Sequence, residues 1–221
     1  MLNRRGPSFF RLGRLWRFCP CIRNQEKASL LGKLYAFLNR MKPAAFIERD
    51  GVLNAISVLG RQQVVPETLD QFKLKTEVAP LLLEMRAAGL LLIVTTNQPG
   101  LSRGTLSRRE LDRMHQQLRA TFPVDDLLVC PHEDADRCPC RKPRAGLFKE
   151  AAFKWGIDLN RSFVISDKWQ DAEAARRAGA TSLLVQSPWL GDGHHDFVLP
   201  DLPTLVDKVL QLNCPQALAS V

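Results

Sequence analysis

From Ala44 onward the chain alternates short apolar runs with segments of helical period, and that alternation limits the available folds more than any other feature. The runs Ala44–Glu48, Leu90–Thr95, Leu127–Cys130, Ser162–Ser166 and Thr181–Val185 have the length of strands and show little polar alternation, as strands covered on both faces do. Between them, helical patterns cover Glu77–Ala88 up to Gly89, Arg108–Ala120 behind the capping-box pair Ser107 and Glu110, Gly146–Trp155, and Trp169–Ala178 up to Gly179. A last helix, Leu205–Leu212, is expected at the sheet edge. Strands that each hand over to a helix pair in parallel, because a crossover of that length is what returns the chain to the same end of the sheet. The expected fold class is α/β, a doubly wound parallel sheet with helices on both faces.

In such a sheet the binding crevice opens at the carboxyl ends of the strands. The first run is followed by Glu48-Arg49-Asp50-Gly51 and the second by Thr95-Thr96-Asn97-Gln98. After the third come a cysteine-rich loop and Arg141-Lys142-Pro143, and after the fourth Asp167-Lys168-Trp169-Gln170-Asp171. Two acidic clusters, a hydroxyl and two lysines at strand ends suit Mg²⁺ and a phosphate: carboxylates hold the hard cation, while lysines and the hydroxyl hold phosphate oxygens. Taken singly, Asp50-Gly51 reads as a turn, Thr96 as a cap and Lys142-Pro143 as a loop, so the reading rests on the whole set.

Three of the six cysteines, Cys130, Cys138 and Cys140, lie around His132. A Cys₃His set suits tetrahedral Zn²⁺ with every position filled by protein. Such a site is structural: zinc would shape the loop presenting Arg141 and Lys142 without touching the reaction. Clustering with histidine favours metal over disulfides and hence a reducing, cytoplasmic setting. Cys19, Cys21 and Cys214 receive no role.

Charge divides the chain. Through Lys42 there are ten Lys/Arg against Glu26 alone, a charge of +9, so the whole-chain value of +8 leaves −1 for the rest. A near-neutral body argues against a nucleic-acid-binding domain, and no apolar run reaches the roughly 18 residues of a transmembrane helix. Phe9, Leu12, Trp16 and Cys19 share a helical face opposite Arg11, Arg14 and Arg17, so any membrane contact is expected through this arm. Met41 directly precedes the first strand. Residues 1–42 therefore read as a basic N-terminal arm, or as a leader upstream of the true start, and 43–221 as the domain, with a zinc loop at 130–140.

Four groups of residues carry a family likeness: the run Arg49-Asp50-Gly51-Val52-Leu53-Asn54; Thr96-Asn97-Gln98 with Gly100 and Arg103-Gly104; Cys130-Pro131-His132 leading to Cys138-Pro139-Cys140-Arg141-Lys142-Pro143; and Asp167-Lys168 with Asp171. Together, over about residues 44–189, they resemble the haloacid dehalogenase superfamily in its heptose-bisphosphate and histidinol-phosphate phosphatase branch. The resemblance implies that Glu48 attacks phosphorus and that Glu48, Asp50 and Asp167 hold Mg²⁺. It implies that Asp50 is the general acid and then the base, that Thr96 and Lys142 hold the phosphoryl oxygens, and that Asn97, Gln98, Arg141 and Lys168 bind substrate. The implied activity is Mg²⁺-dependent hydrolysis of a small phosphomonoester through a covalent acyl phosphate. A sugar phosphate or bisphosphate such as D-glycero-D-manno-heptose 1,7-bisphosphate is the expected substrate, and a cytoplasmic monomer the expected form.

Three positions depart from the family pattern. Glu48 stands where the family has Asp, which moves the carboxylate outward by one methylene, and a misplacement of about 1 Å can cost on the order of 100-fold in rate. In the segment Asn54 to Gln63 the family carries polar substrate contacts where this chain reads Ala55-Ile56-Ser57-Val58-Leu59, so the sugar specificity does not carry over, and Pro99 replaces a small hydroxyl residue. The alternative reading is therefore a catalytically weakened phosphate-binding or regulatory protein on the same fold.

Overall fold

The structure, a computed structural model, describes residues 41–60 and 62–214; residues 1–40, which hold the amphipathic stretch, Cys19 and Cys21, lie outside the described residues. In chain order the strands are β1 (Ala44–Glu48), β2 (Ser57–Leu59), β3 (Gln62–Val64), β4 (Leu91–Asn97), β5 (Asp126–Cys130), β6 (Phe163–Ser166), β7 (Thr181–Val185) and β8 (Phe197–Leu199). The helices are α1 (Ala79–Ala87), α2 (Gly100–Arg103), α3 (Arg108–Thr121), α4 (Gly146–Trp155), α5 (Trp169–Ala178) and α6 (Leu202–Asn213).

Six strands form one sheet in the order β5-β4-β1-β6-β7-β8, with every pairing parallel. Strand β1 is buried at all five positions, which a central strand covered on both faces requires. Its side chains alternate between two cores. Ala45 and Ile47 pack with Leu82 and Met85 of α1, Leu111, Met114 and Leu118 of α3, and Val206 and Val209 of α6. Ala44 and Phe46 pack with Leu147, Phe148 and Ala151 of α4 and Ala174 and Ala175 of α5. Because β4 and β6 leave β1 in opposite directions across the sheet, its carboxyl end is the topological switch point where a crevice forms.

Where the boundaries differ from the sequence reading, local chemistry accounts for it. The first helix begins at Ala79 and not Glu77, because Pro80 is tolerated only in the first turn; Thr76–Val78 forms a short 3₁₀ turn ahead of it. The last helix begins at Leu202, where Asp201 caps it by accepting from the Thr204 amide at 2.8 Å. Strand β4 runs on to Asn97, so Thr96 and Asn97 are strand residues paired with Val129 and Cys130. Strand β8 and the antiparallel β2–β3 hairpin are three-residue strands, too short for a period to be read.

Asp126, at the start of β5, ties three elements together. Lys154 and Trp155 of α4 donate to its Oδ2 at 2.7 and 2.8 Å, and Arg119 of α3 lies 3.6 Å from its Oδ1. Burial opposes its ionisation, but these donors outweigh burial and hold the carboxyl below its ordinary value. A depressed folded-state value stabilises the fold above the unfolded pKa of about 3.9, and the gain is lost as pH falls through the folded value. Asp126→Asn is therefore expected to cost about 1–3 kcal/mol at neutral pH, with the gap to the parent protein closing below about pH 4. Urea denaturation from pH 3 to 7 reads this directly, and a gap independent of pH would refute it.

Candidate active site and metal loop

The sheet brings the predicted strand-end residues together. Glu48 ends β1 beside Thr95 of β4, and its carboxylate is buried. The Lys142 ammonium pairs with Glu48 Oε2, with Asp171 Oδ1 at 2.6 Å and with the Thr95 carbonyl at 3.3 Å. On the other side Lys168 donates to the Asp50 main-chain carbonyl at 2.7 Å and lies 3.5 Å from Glu48 Oε1. Burial pushes the Glu48 carboxyl above the usual range against the pull of both lysines. Burial also disfavours the Lys142 cation, but Asp171 and Glu48 overcome it and keep the amine charged. Asn97 fixes this lysine from the backbone side: its amide oxygen accepts from the Lys142 N–H and its amide nitrogen donates to the Lys142 carbonyl, both at 3.2 Å.

Asp50 faces inward. Arg49 donates to both of its carboxylate oxygens at 2.9 and 3.0 Å, Thr96 Oγ1 donates to Oδ2 at 3.1 Å, and Gln98 Nε2 donates to Oδ2 at 2.6 Å. Gln98 also donates to Thr96 Oγ1 at 2.8 Å. The opposing effect of burial on Asp50 is outweighed by Arg49 and Lys168, and its carboxyl lies below the usual range. Arg49 itself is fully buried over Phe72, 5.3 Å from the ring centre, and its third hydrogen bond reaches His115 Nε2 at 3.2 Å. Burial and the adjacent Arg49 push His115 down to about 3, so it stays neutral and can accept that bond. A cleft of about 380 Å³ is lined by Glu48, Asp50, Asn97, Arg141, Lys142, Lys168 and Asp171, whereas Thr96 and Gln98 are buried in contact with Asp50 and off the cleft wall.

Asp167 is placed for a cation. Its Oδ1 is buried without a hydrogen-bond partner, and such an atom calls for an ion or a donor. Gly51, with φ +101°, brings the chain so close that a Cβ there would sit 2.6 Å from Asp167 Oδ2. A hard cation fits beside this carboxylate. With both Asp50 carboxylate oxygens occupied, Asp50 would offer it the main-chain carbonyl, from which Lys168, now at 2.7 Å, would have to withdraw.

The four metal-loop residues converge more tightly. The ligand atoms of Cys130, His132, Cys138 and Cys140 all lie within 4.8 Å of one another. Cys130 Sγ is 3.7 Å from Cys138 Sγ and from His132 Nδ1; Cys140 Sγ is 3.4 Å from the other two sulfurs and 3.3 Å from His132 Nδ1. Zn–S bonds of about 2.3 Å imply tetrahedral edges of roughly 3.8 Å, so the set fits zinc bound through Nδ1. Gly146 lies against this loop, and a Cβ there would collide with the Pro139 carbonyl. Protein purified without chelator is expected to carry one zinc per chain, and Cys138→Ser to lower both zinc content and melting temperature. Elemental analysis finding no zinc would rule the site out.

The HAD-hydrolase-like family matches residues 139–205, which contain Lys142, Asp167 and Asp171. The D-glycero-beta-D-manno-heptose-1,7-bisphosphate 7-phosphatase of Haemophilus ducreyi is 31% identical over 185 residues, covering 76% of this chain and 98% of that protein. The chain belongs to the haloacid dehalogenase superfamily, in its heptose-bisphosphate and histidinol-phosphate phosphatase branch. The enzyme of the same name from Rhodopseudomonas palustris is 33% identical over 150 residues, covering 62% of this chain and 80% of that one. A crystal structure of the D,D-heptose 1,7-bisphosphate phosphatase of B. bronchiseptica, complexed with magnesium and phosphate, superposes with a TM-score of 0.64 at 26% identity, covering 76% of this chain and 98% of that one. This superfamily member thus has relatives that are named phosphatases. Among its described residues no helix is long and apolar enough to cross a membrane.

Sequence reasoning missed the Arg49–His115 support behind Asp50 and the Asp171 bond to Lys142. Arg49 did carry a signal, as a lone cation between two acids at the end of an apolar strand. His115 carried none, since its partner is 66 residues away.

Proposed function

We propose that the protein hydrolyses a sugar phosphate or bisphosphate, D-glycero-D-manno-heptose 1,7-bisphosphate being the reference substrate, with Glu48 as nucleophile. The observation that carries this reading is the convergence of Glu48, Lys142 and Lys168 beside Asp167, whose buried Oδ1 has Lys168 4.0 Å away but no hydrogen-bond partner. A Glu48 oxygen attacks phosphorus and the bond to the sugar oxygen breaks; Asp50, an anion at rest beneath Arg49, Thr96 and Gln98, takes up a proton from solvent as the substrate displaces the Gln98 bond and passes it to that oxygen. Water then loses a proton to Asp50 and attacks the acyl phosphate, releasing inorganic phosphate and restoring Glu48. Lys142 meets the charge that builds on the phosphoryl oxygens, while Thr96, off the cleft wall, acts through its bond to Asp50. Glu48, the Asp50 main chain and Asp167 would hold Mg²⁺, which would supply further charge compensation. Cys130, His132, Cys138 and Cys140 would hold Zn²⁺, which would keep Arg141 and Lys142 in place.

Phosphate release from a panel of sugar phosphates, with Mg²⁺ and with EDTA, tests the activity. Rapid acid quench with a ³²P-labelled substrate tests for covalent label on the protein. Metal-dependent release with labelled protein is expected. Saturable phosphate binding without release from any ester would replace this reading by a phosphate-binding one.

A further inference from the structure

We propose that Trp169 and Trp189 form the wall on which the substrate's sugar ring rests, a leaving-group subsite just outside the phosphate-binding residues. The proposal builds on the phosphatase reading above. A hollow of about 720 Å³ opens beside the catalytic cleft and shares Arg141, Lys168, Trp169 and Gln170 with it. With the phosphoryl group held between Lys142 and Glu48, what extends into this hollow is the leaving group.

The chemistry of the hollow suits a polyhydroxylated ring. Beyond the shared residues it is lined by Gln62 and Gln63 of β3, and by Pro188, Trp189 and Gly191. Indole faces receive the C–H face of a sugar, and carboxamides both donate and accept, as hydroxyls do. Its two cations are already engaged. Arg141 donates to Asp134 at 2.6 Å and to the His132 carbonyl at 3.1 Å, while Lys168 is held by the Asp50 carbonyl and Glu48. Discrimination between leaving groups therefore falls to the neutral side chains. The apolar stretch at residues 55–59 left the hairpin without evident sugar contacts in sequence, and the returning strand offers Gln62 and the carboxamide oxygen of Gln63, whose nitrogen donates to Asp167 Oδ2 at 3.4 Å.

The main chain that carries the two indoles is held in place from behind. The Trp169 amide donates to the Trp189 carbonyl at 3.1 Å, and the Trp189 amide donates to Ser187 Oγ at 3.0 Å. Ser187 Oγ in turn donates to the Asp167 carbonyl at 2.5 Å, which links the wall to the catalytic loop. Gly191 packs against the Trp169 ring, where an added Cβ would lie 3.3 Å from a ring carbon. Yet 40% of Trp169 remains exposed, leaving apolar surface for a ligand to cover.

The test compares kcat/KM of the full-length holoenzyme for a cyclic sugar phosphate and for glycerol 3-phosphate, which has hydroxyls but no ring. Trp189→Ala and Trp169→Ala are each expected to lower the preference for the ring by about tenfold, chiefly through KM, with Trp169→Phe recovering part of it. Equal losses on both substrates, or an unchanged ratio, would overturn the proposal. Dependence on the indoles confined to purine nucleoside monophosphates would also overturn it, in favour of base stacking. Tryptophan fluorescence titrated with the sugar phosphate in EDTA separates the two readings. Quenching lost in Trp189→Phe, in a protein that releases no phosphate from any ester, keeps the subsite and removes the hydrolase.

Discussion

Glu48→Asp is expected to raise phosphate release by about 100-fold. In the structure the Glu48 carboxylate reaches Lys142, the cation that the chemistry needs for phosphoryl oxygens, and Asp171 holds the same amine at 2.6 Å. A substrate phosphate must therefore compete with two buried carboxylates for a single ammonium group. Shortening residue 48 by one methylene withdraws the carboxylate toward β1, frees one side of Lys142 and moves the nucleophilic oxygen back along the line of attack. Asp50 and Lys142 remain in place, each fixed by contacts that do not involve the removed methylene: Arg49, Thr96 and Gln98 on Asp50, Asp171 and Asn97 on Lys142. Phosphate release under saturating Mg²⁺, with parent and variant side by side, measures the effect. An equal or lower rate would mean that the site is built around the longer side chain.

Much of this site was legible in the sequence because its parts sit where the chain changes from strand to loop. Glu48, Thr96 and Asp167 follow runs of apolar residues, and in a parallel sheet each run must end at the same edge. The metal loop was legible for another reason: two Cys and His pairs of close spacing need no tertiary information to converge. What the sequence withheld depends on the third dimension. Asn97 and Gln98 read as cleft residues of one kind, yet one clamps the Lys142 backbone and the other lies buried beneath Asp50. Alternation along β4 separates them, and that required knowing that the strand runs on to Asn97. Arg49 and His115 escaped because the residues that make them a unit lie on different layers.

That hidden unit shapes the largest effect expected here. Asp50→Asn removes the proton donor and is expected to lower turnover by roughly 10³-fold. It also does more than chemistry. Arg49 is fully buried, and its charge is balanced by Asp50, with His115 held neutral and accepting a hydrogen bond from it without supplying a charge. Leaving a buried cation without its anion typically costs about 3–5 kcal/mol, so Asp50→Asn is expected to be markedly less stable as well as inactive. Loss of activity in that variant alone therefore does not identify the acid. The double variant Asp50→Asn with Arg49→Met resolves this, because methionine fills much of the same apolar space over Phe72 without a charge to strand. Urea denaturation should show the double variant recovering most of the lost stability, while its turnover stays down by the same roughly 10³-fold. If turnover returns together with stability, Asp50 is a structural anion for Arg49 and the leaving oxygen takes its proton from another group.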